Sequence, residues 1–339
     1  ETTSTTTWRY CSLAVDGGPK NSLDMKIEPD MLYHFKVTAV NRGGESFPTE
    51  ALSAYHTPWA KKTVLIVNGF HRLSSPAIRN NAYQQGFDLD ADPGVTYGPT
   101  YGWAGRQTNF DVTKMGIEDG GLGSGGEELA GMLIAGNDFN YVMTHAEAIA
   151  ASREYNIASC ASEALEADKM RLRKYDAIDL VLGLECNDGH SLRYYKSFSP
   201  AMQQALRRFT GGGGALMVSG AYIGSDMRGQ GERQFLASTL KCLYAGGATA
   251  RDGMVRGLGT SMLYHSSLNE EHYAATSADI LQPVEPAYTA MQYADGYSAA
   301  VAYMGRDYRA FVMGFPFECI KDKQKRVSIM QGITTFLLK

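Results

Sequence analysis

The sequence lacks most of the features that mark a function class at first sight. No apolar run approaches the ~20 residues of a membrane span, and the start, which carries no visible signal peptide, reads as truncated. Neither sign of charge dominates: 32 Lys and Arg against 36 Asp and Glu leave a net charge of −4. That excludes the concentrated basic face that nucleic acid or an anionic bilayer requires. Cysteine is scarce. The five, Cys11, Cys160, Cys186, Cys242 and Cys319, are odd in number and form no C-x-x-C pair, so neither a disulfide framework nor a zinc site is indicated, and no metal or cofactor is expected. A phosphate loop is missing too, because the glycine run 120–126 has no lysine and does not directly follow a strand.

What remains is an ordinary globular composition, 44% hydrophobic and 20% charged over 339 residues, enough for one large core or two domains. Its bias is 20 Tyr and 37 Gly, which suits cores and turns of β-rich structure or aromatic platforms for sugars.

The most informative stretch runs from Ser199 to Asp226. Ser199 and Pro200 are an N-cap and an N1 proline, and Met202, Leu206 and Phe209 then recur at helical spacing. Gly211 to Gly214 end the helix. Ala215 to Val218 form a short apolar run of the kind buried on both faces of a parallel sheet. In Gly220-Ala221-Tyr222-Ile223-Gly224 two glycines bracket one side chain at the carboxyl end of that strand, where open α/β sheets place their ligands. This pattern resembles the nucleophile elbow of the class I glutamine-amidotransferase-like fold, G-x-C-x-G, with Tyr222 in place of the cysteine. The second signature of that family, F-H-P-E, is met by Phe315-Pro316-Phe317-Glu318, without the histidine. The resemblance therefore implies the scaffold, and the missing thiol and base exclude the glutaminase chemistry.

Upstream, residues 1–57 read as a separate module. Tyr33, Phe35, Val37 and Ala39 alternate as in a half-buried strand, followed by a turn at Asn41 to Ser46. Tyr33-x-Phe35-x-Val37-x-Ala39-x-Asn41 followed by Gly43-Gly44-Glu45-Ser46 resembles the last strands of a fibronectin type III domain, which implies that Tyr33 is a corner tyrosine and that the first strands of the sandwich are absent.

The second module, 60–339, opens with the buried strand Lys62 to Asn68, which puts His71 and Arg72 at its carboxyl edge. Residues 86–126 alternate Gly, Pro, Tyr and Asp without periodicity, a long loop expected to cover the crevice, with Glu118 and Asp119 as a ligand or acid pair. Helical spacing returns over 127–135 and 142–154. His145 on the second of these is a packing or capping residue, or a ligand contact. Strands are expected at Asn156 to Cys160 and Ile178 to Leu184. The latter ends in Glu185, Cys186, Asp188 and His190, placed to share a crevice with Tyr222 and Asp226. A helix over 232–243, strands at 288–293, 298–304 and 308–314 with hairpin turns between them, and a helix over 323–338 complete the chain.

Taken together, the fibronectin-type tail and the motifs VLIVNGF, LVLGLE, LMVSGAYIGSD and VMGFPFE resemble secreted Bacteroidetes proteins that carry the label xanthan lyase. The fold expected is α/β: a doubly wound, mostly parallel, flavodoxin-like sheet with an antiparallel extension, preceded by a partial all-β sandwich. The function expected is binding of a polysaccharide or peptidoglycan-type ligand outside the cytoplasm, in a chain with further domains. Its rival is a lyase or hydrolase with catalytic Tyr222, His190 and Glu185, and with Glu118, Asp119, His145, Asp226 and Glu318 holding substrate. Arg72 or Arg228 would then neutralise the substrate carboxylate.

Overall fold

Apolar runs and alternation set the strands of this chain, and a computed structural model shows how they are ordered. It describes residues 24–37, 40–42, 44–45, 49–70, 77–80, 83, 85–88, 103–104, 132–133, 141–187, 196–248, 252–267 and 272–339. The elements that position the site are β1 (Leu32–Phe35), β2 (Leu52–Tyr55), β3 (Lys62–Asn68), α1 (Tyr141–Ala150), β4 (Tyr155–Ala161), β5 (Ala177–Gly183), α2 (Pro200–Gly211), β6 (Ala215–Gly220), β7 (Cys242–Gly247), β8 (Met254–Gly257), β9 (Thr260–Leu263), β10 (Asp279–Pro283), β11 (Tyr288–Tyr293), β12 (Ser298–Met304), β13 (Arg309–Met313) and α3 (Lys323–Leu338).

Eleven of these strands form one sheet in the order β1-β2-β4-β3-β5-β6-β13-β12-β11-β8-β9. The five in the middle, β4-β3-β5-β6-β13, are parallel. Those outside them pair antiparallel, on both flanks. Counted along the chain, the parallel strands stand in the order 2-1-3-4-5. Their sequences are continuous apolar runs because both faces are covered. Ile66, Val181 and Met217 pack towards Ile149 of α1 and Met330 and Ile333 of α3. Leu65, Leu180 and Val218 pack towards Met202, Leu206 and Phe209 of α2 on the opposite face. The start of α2 follows from its cap, since the Ser199 hydroxyl accepts the Met202 N–H at 3.1 Å and Pro200 needs no partner for a missing N–H.

Three expectations are revised. Strands β1 and β2 were assigned to a separate sandwich, but they extend the main sheet: β2 pairs with β4 at Tyr55 and Ile157, and Ser159 Oγ bonds both the N–H and the carbonyl of Ser53. Alternation identifies a half-buried strand without naming its neighbour. The hydroxyl of Tyr33 accepts the Glu28 N–H at 3.0 Å. Met132–Leu133, expected in a helix, form a short strand antiparallel to Trp103–Ala104. The helix expected over 232–243 stops at Leu240, where Lys241 adopts a left-handed φ of 59° and the chain turns into β7.

In an open α/β sheet the ligand crevice lies where the strand order reverses, here between β3 and β5. In this chain an aromatic plug fills that place. Phe70 follows β3 and lies on Gly183, whose φ is +50° and where a Cβ would stand 2.3 Å from the Phe70 ring. Phe70 stacks on Tyr141 at 5.1 Å between centroids and meets Tyr273 edge-on at 5.4 Å. Gly183→Ala combines a left-handed backbone with a clash, so it is expected to destabilise by at least about 2 kcal/mol, read as a lower urea midpoint. An unchanged midpoint would show that the plug moves freely.

Candidate functional site

The elbow after β6 is built by close approach. A Cβ at Gly220 would stand 2.8 Å from Leu182 Cβ, and one at Gly224 would stand 2.8 Å from Tyr244 Cβ and 3.1 Å from its Cα. Glycine at 224 therefore lets the β7 backbone lie directly on the turn. Strands β7 and β10 form a two-stranded antiparallel ribbon. From β10, Asp279 reaches the same turn: its Oδ2 accepts the N–H of Gly224 at 2.7 Å and of Ser225 at 2.9 Å. Asp279 is held behind by its own N–H to the Gly314 carbonyl at 2.8 Å, and its carbonyl accepts the Tyr293 hydroxyl at 2.9 Å. Burial raises its pKa to about 6, helped by the nearby charge of Asp226 and opposed by the two N–H bonds.

The loop after β5 and the elbow are neighbours, as β5 and β6 pair in parallel and the Ala221 N–H bonds the Gly183 carbonyl at 2.8 Å. Ser197, which sequence reasoning missed, ties them together. Its hydroxyl lies 3.0 Å from the Glu185 carbonyl and 2.9 Å from the Tyr222 carbonyl. Asp226 completes the link, with Oδ1 accepting the Asn187 N–H at 3.2 Å and Oδ2 accepting the Ser197 N–H at 2.9 Å. The main-chain carbonyls of Glu185 and Tyr222 and the Asp226 carboxylate thus meet at Ser197. The Tyr222 side chain is half-buried, and burial, with Cys186 and Asp279 adding, pushes its hydroxyl up to about 12. His190, Asp188, Glu118, Asp119, His71 and Arg72, like most of the loop 86–126, lie outside the described residues.

His145 and Glu318 are elsewhere, in the core below the aromatic plug. The His145 ring is fully buried, with Nδ1 at 2.7 Å from Asp179 Oδ2 and Nε2 at 3.2 Å from Glu318 Oε2. Tyr273 donates its hydroxyl to Glu318 Oε1 at 2.6 Å. Burial works against a charge on the ring, but Asp179 and Glu318 outweigh it and raise His145 to about 10. Burial likewise opposes the Glu318 charge, and the His145 and Tyr273 bonds still bring it below the usual carboxylate value. Both ring nitrogens and both Glu318 oxygens are consumed inside the fold, so neither residue has an atom left for substrate. Next to them Cys319 is fully buried, 3.7 Å from His272 Nδ1, and burial and Glu318 hold its thiol far above the thiolate range. Such a thiol is inert. The signal for this trio was Asp179 itself, an acid inside the apolar run Ile178 to Leu184. Asp279, between Ala278 and Ile280, carries the same signal. Among the described residues, no group of three or more His, Cys, Asp or Glu is arranged to hold a metal ion, and no helix is long and apolar enough to cross a membrane.

No family model matches the chain, and no curated protein matches it. Solved structures do share parts of its backbone course. A GH42 β-galactosidase from G. stearothermophilus is 15% identical over 57% of this chain and 25% of that one, with a TM-score of 0.40. An exo-β-1,4-mannosidase from an Opitutaceae bacterium is 9% identical over 82% of this chain and 36% of that one, at 0.42. A cytoplasmic protein from Salmonella typhimurium is 9% identical over 81% and 98%, at 0.41. The chain spans about a quarter to a third of the length of the two glycosidases. At these identities and scores the likenesses assign neither a family nor a reaction.

The carboxylate of Asp279 makes a pH signature. Its folded pKa, about 6, is above the ordinary 3.8, so between these values the folded state holds the proton that the unfolded chain has released. Stability therefore falls as pH rises through that window, by roughly 3 kcal/mol for a shift of this size. Asp279→Asn keeps an oxygen for both N–H groups and removes the titration. Subtracting its urea stability from that of the wild type at pH 4 to 7 should give a difference that grows in favour of the variant. A difference flat with pH would mean that the carboxylate is not desolvated.

Proposed function

We propose that this chain is a carbohydrate- or cell-envelope-associated binding protein acting outside the cytoplasm. Its scaffold, in this reading, is flavodoxin-like and of glutamine-amidotransferase type, and its elbow has lost nucleophilic chemistry. The parallel strand order 2-1-3-4-5 and a glycine-flanked turn after the fourth parallel strand support the scaffold. Location outside the cytoplasm and the class of ligand rest on the resemblance of the motifs.

One observation carries the loss of chemistry. Nucleophilic chemistry at such a turn needs an activated thiol or hydroxyl with a base beside it. Here the elbow side chain is a tyrosine whose hydroxyl burial pushes up to about 12, and the turn that carries it is tied through the Gly224 and Ser225 N–H groups to Asp279. A rival reading, a lyase or hydrolase with Glu185, His190 and Tyr222, is favoured by the linking of Glu185 and Tyr222 through Ser197. Against it, a hydroxyl pushed up to about 12 is poorly matched to proton abstraction near neutral pH.

Two measurements test this. The protein is expected to release no ammonia from glutamine, and release that a Cys186→Ala variant abolishes would restore an amidotransferase site. In a screen of acidic polysaccharides and peptidoglycan fragments, binding without turnover is expected from the wild type and from a His190→Ala, Tyr222→Phe double variant. Unsaturated uronate absorbance or new reducing ends, seen with the wild type alone, would favour the enzyme.

A further inference from the structure

Two exposed side chains, Tyr244 and Arg228, meet the elbow at its adjacent residues Gly224 and Ser225. Tyr244 comes from the β7–β10 ribbon. Its Cβ and Cα lie against Gly224, which fixes the base of the side chain, while the residue keeps 46% of its surface exposed. Arg228 comes from the other end of the turn. It is exposed, and its Nε donates to the Ser225 carbonyl at 3.0 Å, which anchors the guanidinium at the turn; its two terminal nitrogens make no hydrogen bond to a described residue. Among the described residues no carboxylate pairs with it.

The acids nearby are committed inward. Asp279 accepts the Gly224 and Ser225 N–H groups, and Asp226 accepts those of Asn187 and Ser197. Glu232 caps its own helix through the Gly229 N–H at 2.7 Å and pairs with Lys196 at 2.7 Å. The outward character of the rim is therefore one aromatic face and one guanidinium fork, anchored on adjacent residues 224 and 225. A flat aromatic face takes the C–H face of a sugar ring or another ring. A guanidinium fork takes a planar carboxylate in preference to a hydroxyl.

We propose that the elbow rim binds a carboxylated sugar, a uronate residue of a glycan, with its carboxylate on Arg228 and a ring face on Tyr244. This rests on the reading of the elbow as a binding site, and it narrows that reading from carbohydrate in general to an acidic one. No bond is made or broken, and Asp279 remains in the turn while the ligand is held.

The test compares an oligogalacturonate with its fully methyl-esterified form of equal length, by titration calorimetry at low salt. Esterification removes the charge and leaves the ring, so the ester should bind about tenfold more weakly. Arg228→Gln should lower affinity for the acid to that of the ester and leave the ester unchanged. Tyr244→Ala should weaken both, and Tyr244→Phe should restore both. Both side chains are exposed, so these variants keep the fold. Equal affinity of acid and ester, or an Arg228→Gln variant that binds the acid like the wild type, overturns the assignment of a carboxylate while leaving carbohydrate binding intact. No binding of either oligomer by the wild type overturns the proposal. The broader binding reading fails only if the screen of polysaccharides and peptidoglycan fragments is blank as well.

Discussion

A turn at the end of a buried parallel strand leaves backbone N–H groups pointing into a place that water does not reach, and they have to be bonded. In this protein Asp279 does it. The carboxylate comes from a different part of the chain, 55 residues on from Gly224, and so one pair of hydrogen bonds joins the ribbon β7–β10 to the parallel core. Gly224 makes the joint possible from the other side, since any larger residue would push the β7 backbone away. The position of Tyr244 against the turn follows from this contact.

A second buried arrangement settles what the core below does not do. Asp179, His145 and Glu318 are polar groups without access to water, where pairing offsets the cost of burial; Asp179 Oδ2 bonds His145, and its Oδ1 has no partner. Every polar atom of His145 and Glu318 is spent on that requirement. Phe70, Tyr141 and Tyr273 then close the reversal point of the strand order above them. Beside it, where β5 and β6 stop and the elbow begins, the Ala221 N–H bonds the Gly183 carbonyl.

Periodicity made most of this fold legible. The strands at β3, β5, β6, β11 and β12 and the helices α2 and α3 are written in apolar runs, alternation and caps that act over a few residues. What the sequence could not show was contact at a distance. Alternation in β1 identified a strand, but hydrogen bonding of β2 at Tyr55 and Ser53 decides that the pair adjoins β4 and is not a sandwich of its own. Tyr222 and Glu185 were found because the ends of adjacent parallel strands must be close. Ser197 was missed because nothing in its surroundings marks a serine that bridges two carbonyls. His145 and Glu318 were chosen for their chemistry, yet an acid placed within the run Ile178 to Leu184 already pointed to a buried ion pair that would claim them.

In the binding reading proposed above, the bonds that hold the elbow together also favour recognition. A catalytic elbow needs open donors and a mobile nucleophile, whereas a binding rim gains from groups already fixed before the ligand arrives, because less conformational freedom is then lost on binding. Asp279 fixes the turn, Gly224 fixes the base of Tyr244, and the Ser225 carbonyl fixes Arg228. Among the described residues, Asp279, Asp226 and Glu232 are bonded to backbone N–H groups or Lys196, which leaves Arg228 beside the turn without an acidic partner. On the reading proposed above, the ligand lies outside the turn, against side chains whose bases are already fixed.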